Sequence, residues 1–179
     1  ARAMGAGEGR AVEATLRAPI PLEATLRAHP AGDGVDVMTD DAGDRILIMS
    51  LRPATLETPA IVSPGLAAAR AAAKTFRSSE DHELPLCFVC GPDRAKGDGL
   101  RIFPDFVAEA DNPNPFAIVA APWFPSSDLV GTNGLVAPEF LWAALDCPGA
   151  FAVDVEPIVL GRMTARIDLR PGIEDAIIA

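Results

Sequence analysis

The chain has 179 residues, 49% of them hydrophobic, and its 25 acidic and 15 basic side chains give a formal charge of −10 and a pI near 4.6. That is ample apolar material for one ordinary domain or two small ones. The absence of any Lys/Arg cluster argues against a nucleic-acid partner, and no run is suited to a signal peptide or to spanning a membrane. The three cysteines are odd in number, which argues against a disulfide framework and for a reducing cytoplasm.

Taken in order, Ala1 to Gly7 reads as the tail of a helix stopped at Gly5 or Gly7. From Arg10 to Arg17 the apolar Val12, Ala14 and Leu16 alternate with Glu13, Thr15 and Arg17, the period of a strand. Pro19-Ile20-Pro21 breaks it, and further strands are expected at Leu22 to Ala28 and Val35 to Thr39, with His29 in a loop before Pro30. Asp40 to Asp44, with Gly43, has hairpin-turn chemistry, and Arg45 to Leu51 completes an antiparallel meander without a helix of its own.

Pro53 to Pro64 reads as a connector, and the Ala-rich Gly65 to Phe76, with Arg70 and Lys74 at i,i+4, as a surface helix. A polar loop, Ser78 to Pro85, leads to Cys87-Phe88-Val89-Cys90. Strands are expected at Leu100 to Phe103 and Phe116 to Ala121, and Pro122 to Asn133 as a loop. Gly134 to Val153 is the longest apolar segment, interrupted only by Glu139 and Asp146. Pro138 suits the first turn of a helix, and apolar residues on nearly every face predict a buried central helix that Pro148 and Gly149 end or kink. Ile158 to Leu169 is a further strand, and another begins at Glu174. Arg10 to Pro19 and Arg162 to Pro171 echo each other as strands that begin with Arg and end at Arg/Pro, a faint repeat signal. Both ends of the chain look unfinished.

The Cys87/Cys90 pair admits two readings. A metal or redox centre would use them with His82 nearby, but a zinc site needs four ligands, and neither a second such pair nor a paired His is present; Cys147 is far along the chain. The expected reading is two small buried side chains in a tight turn stopped by Gly91-Pro92, with no metal or redox cofactor.

The segment Cys87-Phe-Val-Cys-Gly-Pro-Asp, followed by Gly99-Leu-Arg-Ile, resembles the opening of phenylacetate-type (PaaI-like) acyl-CoA thioesterases. The run Pro138-Glu-Phe-Leu-Trp-Ala-Ala-Leu-Asp-Cys-Pro-Gly is similar to the helix of actinobacterial thioesterase-like proteins that carry two hotdog units in tandem. The resemblance implies an α+β fold, a tandem hotdog in which a curved antiparallel sheet wraps a central helix, incomplete at both ends. Residues 1–52 would be a partial first unit, 53–86 a linker with the surface helix, and 87–179 a second unit missing its last strands.

The resemblance also implies hydrolysis of an acyl-CoA thioester, with Asp146 as the base or nucleophile that stands nine residues after a His-Gly-Gly helix start. Ala137-Pro138-Glu139 occupies that start here. Pro138 lacks the N–H, and Glu139 brings a negative charge where an oxyanion would develop. Asp146 could instead bond helix-end backbone, and Glu139 could be a structural first-turn acid or a second catalytic acid. Arg94, Lys96 and Arg101 are either solvated cations or partners for a CoA phosphate. Trp142 and Trp123 are either core or interface residues or a platform for the acyl group. The alternatives to an enzyme are a non-catalytic acyl or acyl-CoA binding module and an oligomerising scaffold. A cytoplasmic homo-oligomer without nucleic-acid or membrane partners is expected, pairing its units as single hotdog subunits dimerise.

Overall fold

The computed structural model describes residues 9–40, 45–58, 61–77, 80–153, 158–173 and 177–178. It is α+β: a five-stranded antiparallel sheet, two small ladders and a few short helices among the described residues. The chain divides into two compact units, Ala1–Thr58 with Leu160–Leu169, and Pro59–Val159 with Arg170–Ala179.

The first unit is the sheet. Its strands are β1 (Val12–Leu16), β2 (Leu26–Ala31), β3 (Gly34–Thr39), β4 (Leu47–Pro53) and, from late in the chain, β8 (Arg162–Ala165), ordered β2-β3-β4-β1-β8. β2 and β3 are joined by the two-residue turn Gly32-Asp33, where Gly32 has φ 61°, as the first central position of a II′ hairpin turn requires. The second strand therefore starts later than its Leu22 expectation and takes in His29, which lies opposite Asp36. Of the expected Asp40–Asp44 hairpin turn, residues 41–44 lie outside the described residues, as does the helix tail expected before Glu8. Ile48 and Ser50 alternate into the buried face of β4, and Val12, Leu51, Ala165 and Ile167 are buried with them. β1 and β8, the two strands that echo each other in sequence, are hydrogen-bonded neighbours, Val12 opposite Ala165 and Thr15 opposite Arg162.

The second unit has little ladder. β5 (Asp105–Phe106) pairs with β6 (Val119–Ala120), and β7 (Pro122–Trp123) with β9 (Ile177–Ile178). α1 (Leu66–Ala72) buries Ala68, Ala69 and Ala72 against Val107, Ala120 and Ile118. No named strand covers 100–103: Leu100 and Ile102 turn alternate N–H groups to the carbonyls of Phe88 and Val89 instead. The main core gathers Val89, Leu100, Ile102, Ala121, Trp123, Leu129, Val136 and Ala144.

The expected central helix is two short ones, α2 (Pro138–Ala144) and α3 (Asp146–Phe151). The break falls earlier than Pro148-Gly149, which both sit inside α3. The reason is steric: a continuous helix would drive the Pro148 ring into the carbonyl of residue 144, so α2 stops there and Pro148 falls in a first turn that needs no N–H. The expectation of a helix buried all round is also corrected. Ala144 alone is buried within α2, Glu139 and Leu145 are exposed, and the other side chains are half-buried.

Candidate functional site

The second unit brings together three thiols that are far apart in sequence. Cys87 and Cys90 sit on a tight turn in which the Cys87 N–H donates to Leu84 O at 2.8 Å and the Gly91 N–H to Cys87 O at 2.9 Å. Only glycine fits at 91, because a Cβ there would lie 2.5 Å from both the nitrogen and the oxygen of Cys87. Cys147 arrives from the first turn of α3. Its Sγ is 3.0 Å from Cys90 Sγ and 3.6 Å from Cys87 Sγ, and all three are free thiols. Among the described residues they are the one group of three or more metal-capable side chains drawn together, their sulfurs within 4.8 Å of one another.

His82 completes the surroundings. It is buried among Phe76 and Phe151, its Nδ1 accepts the Leu84 N–H at 2.9 Å, and its Nε2 lies 3.5 Å from Cys90 Sγ. A cavity of about 90 Å³ opens onto the four side chains, also lined by Arg77 and Phe151.

The thiols share protons unequally. Hydrogen bonds from Cys147 and Cys90, then from the backbone N–H groups of Cys90 and Val89, hold Cys87 far below the usual thiol range. At Cys90 the bond with Cys147 acts downward, but Cys87, burial and the nearby negative charges outweigh it and push the thiol up to about 12. Cys147 is driven up, first by its hydrogen bonds with Cys87 and Cys90 and then by burial. The directions of the three shifts make Cys87 the first of the three to ionise. Asp146 is half-buried at the start of α3, and its carboxyl is raised by desolvation and then by the Cys87 charge.

The other expected site residues are distributed around this centre. Glu139 is an exposed first-turn acid of α2. Trp142 is half-buried, its indole N–H fully so and without an acceptor. Arg94 braces its own loop, donating to Leu86 O at 2.8 Å and to Asp98 at 2.9 Å, with its guanidinium over the Phe88 ring. Arg101, at φ 54°, hydrogen-bonds Arg94 O and stacks over Phe103. Arg101 and Lys96 flank an open groove of about 610 Å³ whose floor is Leu100, Pro122, Trp123, Phe124 and Leu129.

At the start of α2, the Ala137 N–H is committed to Leu129 O and the Phe140 N–H to Ala137 O, while Pro138 has none. Sequence reasoning placed Asp146 beside a helix break but missed its neighbour Cys147 as the third member of the cysteine group. The available signal was an odd cysteine next to a candidate acid, in a chain whose other two cysteines already form a pair. No protein-family model, curated protein or solved structure matches this chain.

Proposed function

We propose that this is a thioesterase-like protein of tandem-hotdog type that takes an acyl-CoA thioester in a reducing, cytoplasmic compartment. The observation that carries the reading is the groove beside Lys96 and Arg101. Its size is that of a small-molecule site, its floor is apolar as an acyl or pantetheine arm requires, and two cations flank it as a CoA phosphate requires. The sequence resemblance of 87–103 and 138–149 supports the same ligand. Asp146 is the proposed general base. It stands at the start of α3, whose Cys147 packs on the core that supplies the Leu100, Trp123 and Leu129 floor. A carboxylate suffices for a thioester because the thiolate leaves readily, and such a base contributes roughly 10²–10⁴-fold.

A second reading, a binding module without turnover, is favoured by the committed N–H groups at the start of α2, which leave that turn poor in donors for an oxyanion.

Hydrolysis of short, long and aromatic acyl-CoAs by the chain and by Asp146→Asn separates the two, with thermal shift as the binding readout. Turnover that drops about 10²-fold or more in the variant supports the esterase. Turnover indifferent to Asp146 removes it from the chemistry. A melting point raised by acyl-CoA without turnover, and lowered towards the apo value by the Lys96→Ala/Arg101→Ala pair, supports the binding module. Neither turnover nor a shift contradicts both.

A further inference from the structure

We propose that Cys87, Cys90 and Cys147 form a three-thiolate site for a thiophilic divalent ion such as zinc, with the fourth coordination position open and His82 donating a hydrogen bond to the Cys90 sulfur. The proposal is independent of the thioester reading.

Geometry is the first support. Zinc–sulfur bonds of about 2.3 Å at tetrahedral angles place sulfurs about 3.8 Å apart. The Cys147 sulfur, 3.0 and 3.6 Å from its two neighbours, needs only a small opening to reach that value, and all three sulfurs lie within 4.8 Å of one another. The backbone is already braced for it, because the 87–91 turn closes on its own carbonyls and the glycine at 91 excludes any side chain there.

The donor beside the sulfurs is the second. His82 presents Nε2 to the Cys90 sulfur at 3.5 Å. Such donors orient thiolate ligands and stabilise their charge, as the shell around a metal does. The tautomer of His82 follows from its partner: a backbone N–H can only donate, so Nδ1 carries no hydrogen and Nε2–H faces Cys90. A ring in that state is a donor to the thiolate and not a metal ligand. The fourth position is therefore left to the adjoining cavity of about 90 Å³, which has room for bound water. Three thiolates on a divalent ion leave one negative charge, and the cavity wall carries both a cation, Arg77, and an acid, Glu83. Three protein ligands with an open fourth position is the pattern of a reactive metal site, where a closed set of four marks a structural one.

The competing use of these thiols is a Cys90–Cys147 disulfide. It would use two of the three and leave Cys87 over.

The test is cobalt(II) titration of the full, reduced, metal-stripped chain, followed by zinc. One equivalent is expected to bind, with an intense thiolate-to-cobalt charge-transfer band, strong visible bands of a four-coordinate ion, and displacement by zinc. Cys147→Ser is expected to abolish stoichiometric binding, whereas His82→Gln is expected to keep the bands and weaken affinity roughly 10–100-fold. A readout that needs no variant is alkylation of the unaltered protein: all three cysteines modified without metal, and all three protected with zinc. Substoichiometric uptake, an unprotected Cys147 in zinc-loaded protein, or recovery of a Cys90–Cys147 disulfide under the same reducing conditions would overturn the site. Loss of the cobalt bands in a folded His82→Gln protein would overturn the open position by making the imidazole a ligand.

Discussion

The two units reach order by different routes. In the first, strands of four to seven residues pair along most of their length, so backbone hydrogen bonds fix nearly every residue of β1, β3 and β4. In the second, the named ladders are two residues long, and the chain is organised by side chains: an apolar cluster around Ile102, Trp123 and Val136, and a knot of thiols. Ladder-built structure spreads its backbone order over many hydrogen bonds, while its few buried side chains, such as Ile48, still carry packing energy. Side-chain-built structure concentrates its dependence on a few positions, and here three of those positions are chemically reactive.

Core truncations test that contrast most strongly. Ile102→Ala, at a fully buried position, is expected to cost about 2–5 kcal/mol and to move the urea transition seen by tryptophan fluorescence. Both tryptophans, Trp123 and Trp142, lie in the second unit, so that signal reports on it selectively. Ile48→Ala in β4 is expected to cost a similar amount but to show first in far-UV circular dichroism. Identical shifts in both signals for both variants would erase the distinction.

A smaller effect is expected at Gly91. An added Cβ must displace the Cys87 backbone, so Gly91→Ala should cost about 1–3 kcal/mol by urea denaturation and should speed alkylation of Cys90. Unchanged alkylation would mean that the turn does not set the thiol geometry.

The smallest effect belongs to the sheet. The Arg52 guanidinium, 2.7 Å away, is the chief cause holding the Asp36 carboxyl below its ordinary value. A depressed carboxyl contributes stability that is fully present above the unfolded value of about 3.9 and is lost as pH falls through the lower folded value. Asp36→Asn should therefore lower the melting temperature slightly at pH 7, where that stability is fully present, and flatten the acid limb below about 4 until the two proteins converge.

The same contrast explains what could be read from sequence. β1 and β3 follow from alternation of apolar and polar residues, and β4 from an apolar run that completes a hairpin after an Asp/Gly turn, local properties that a ladder expresses directly. β2 was displaced because Pro30 suggested a boundary, yet as one of the sheet's outermost strands β2 accommodates a proline without an N–H. The helix after Pro138 was legible, but its break was read at Pro148 itself, when the clash falls four residues back at Ala144. Least legible was the meeting of Cys147 with Cys87 and Cys90. Sixty residues separate Cys87 from Cys147, and no local pattern encodes a contact made by folding a loop and a helix onto one core. Counting ligands in pairs also hid a set of three.

The most direct measurement is amide hydrogen exchange of the full chain, reduced and metal-free, compared with the zinc-loaded form. If the second unit is organised around its thiols, zinc should slow exchange across 84–102 and 138–151 and leave β1 to β4 as they were. Equal exchange in the two forms, or slowing spread evenly over both units, would contradict that account.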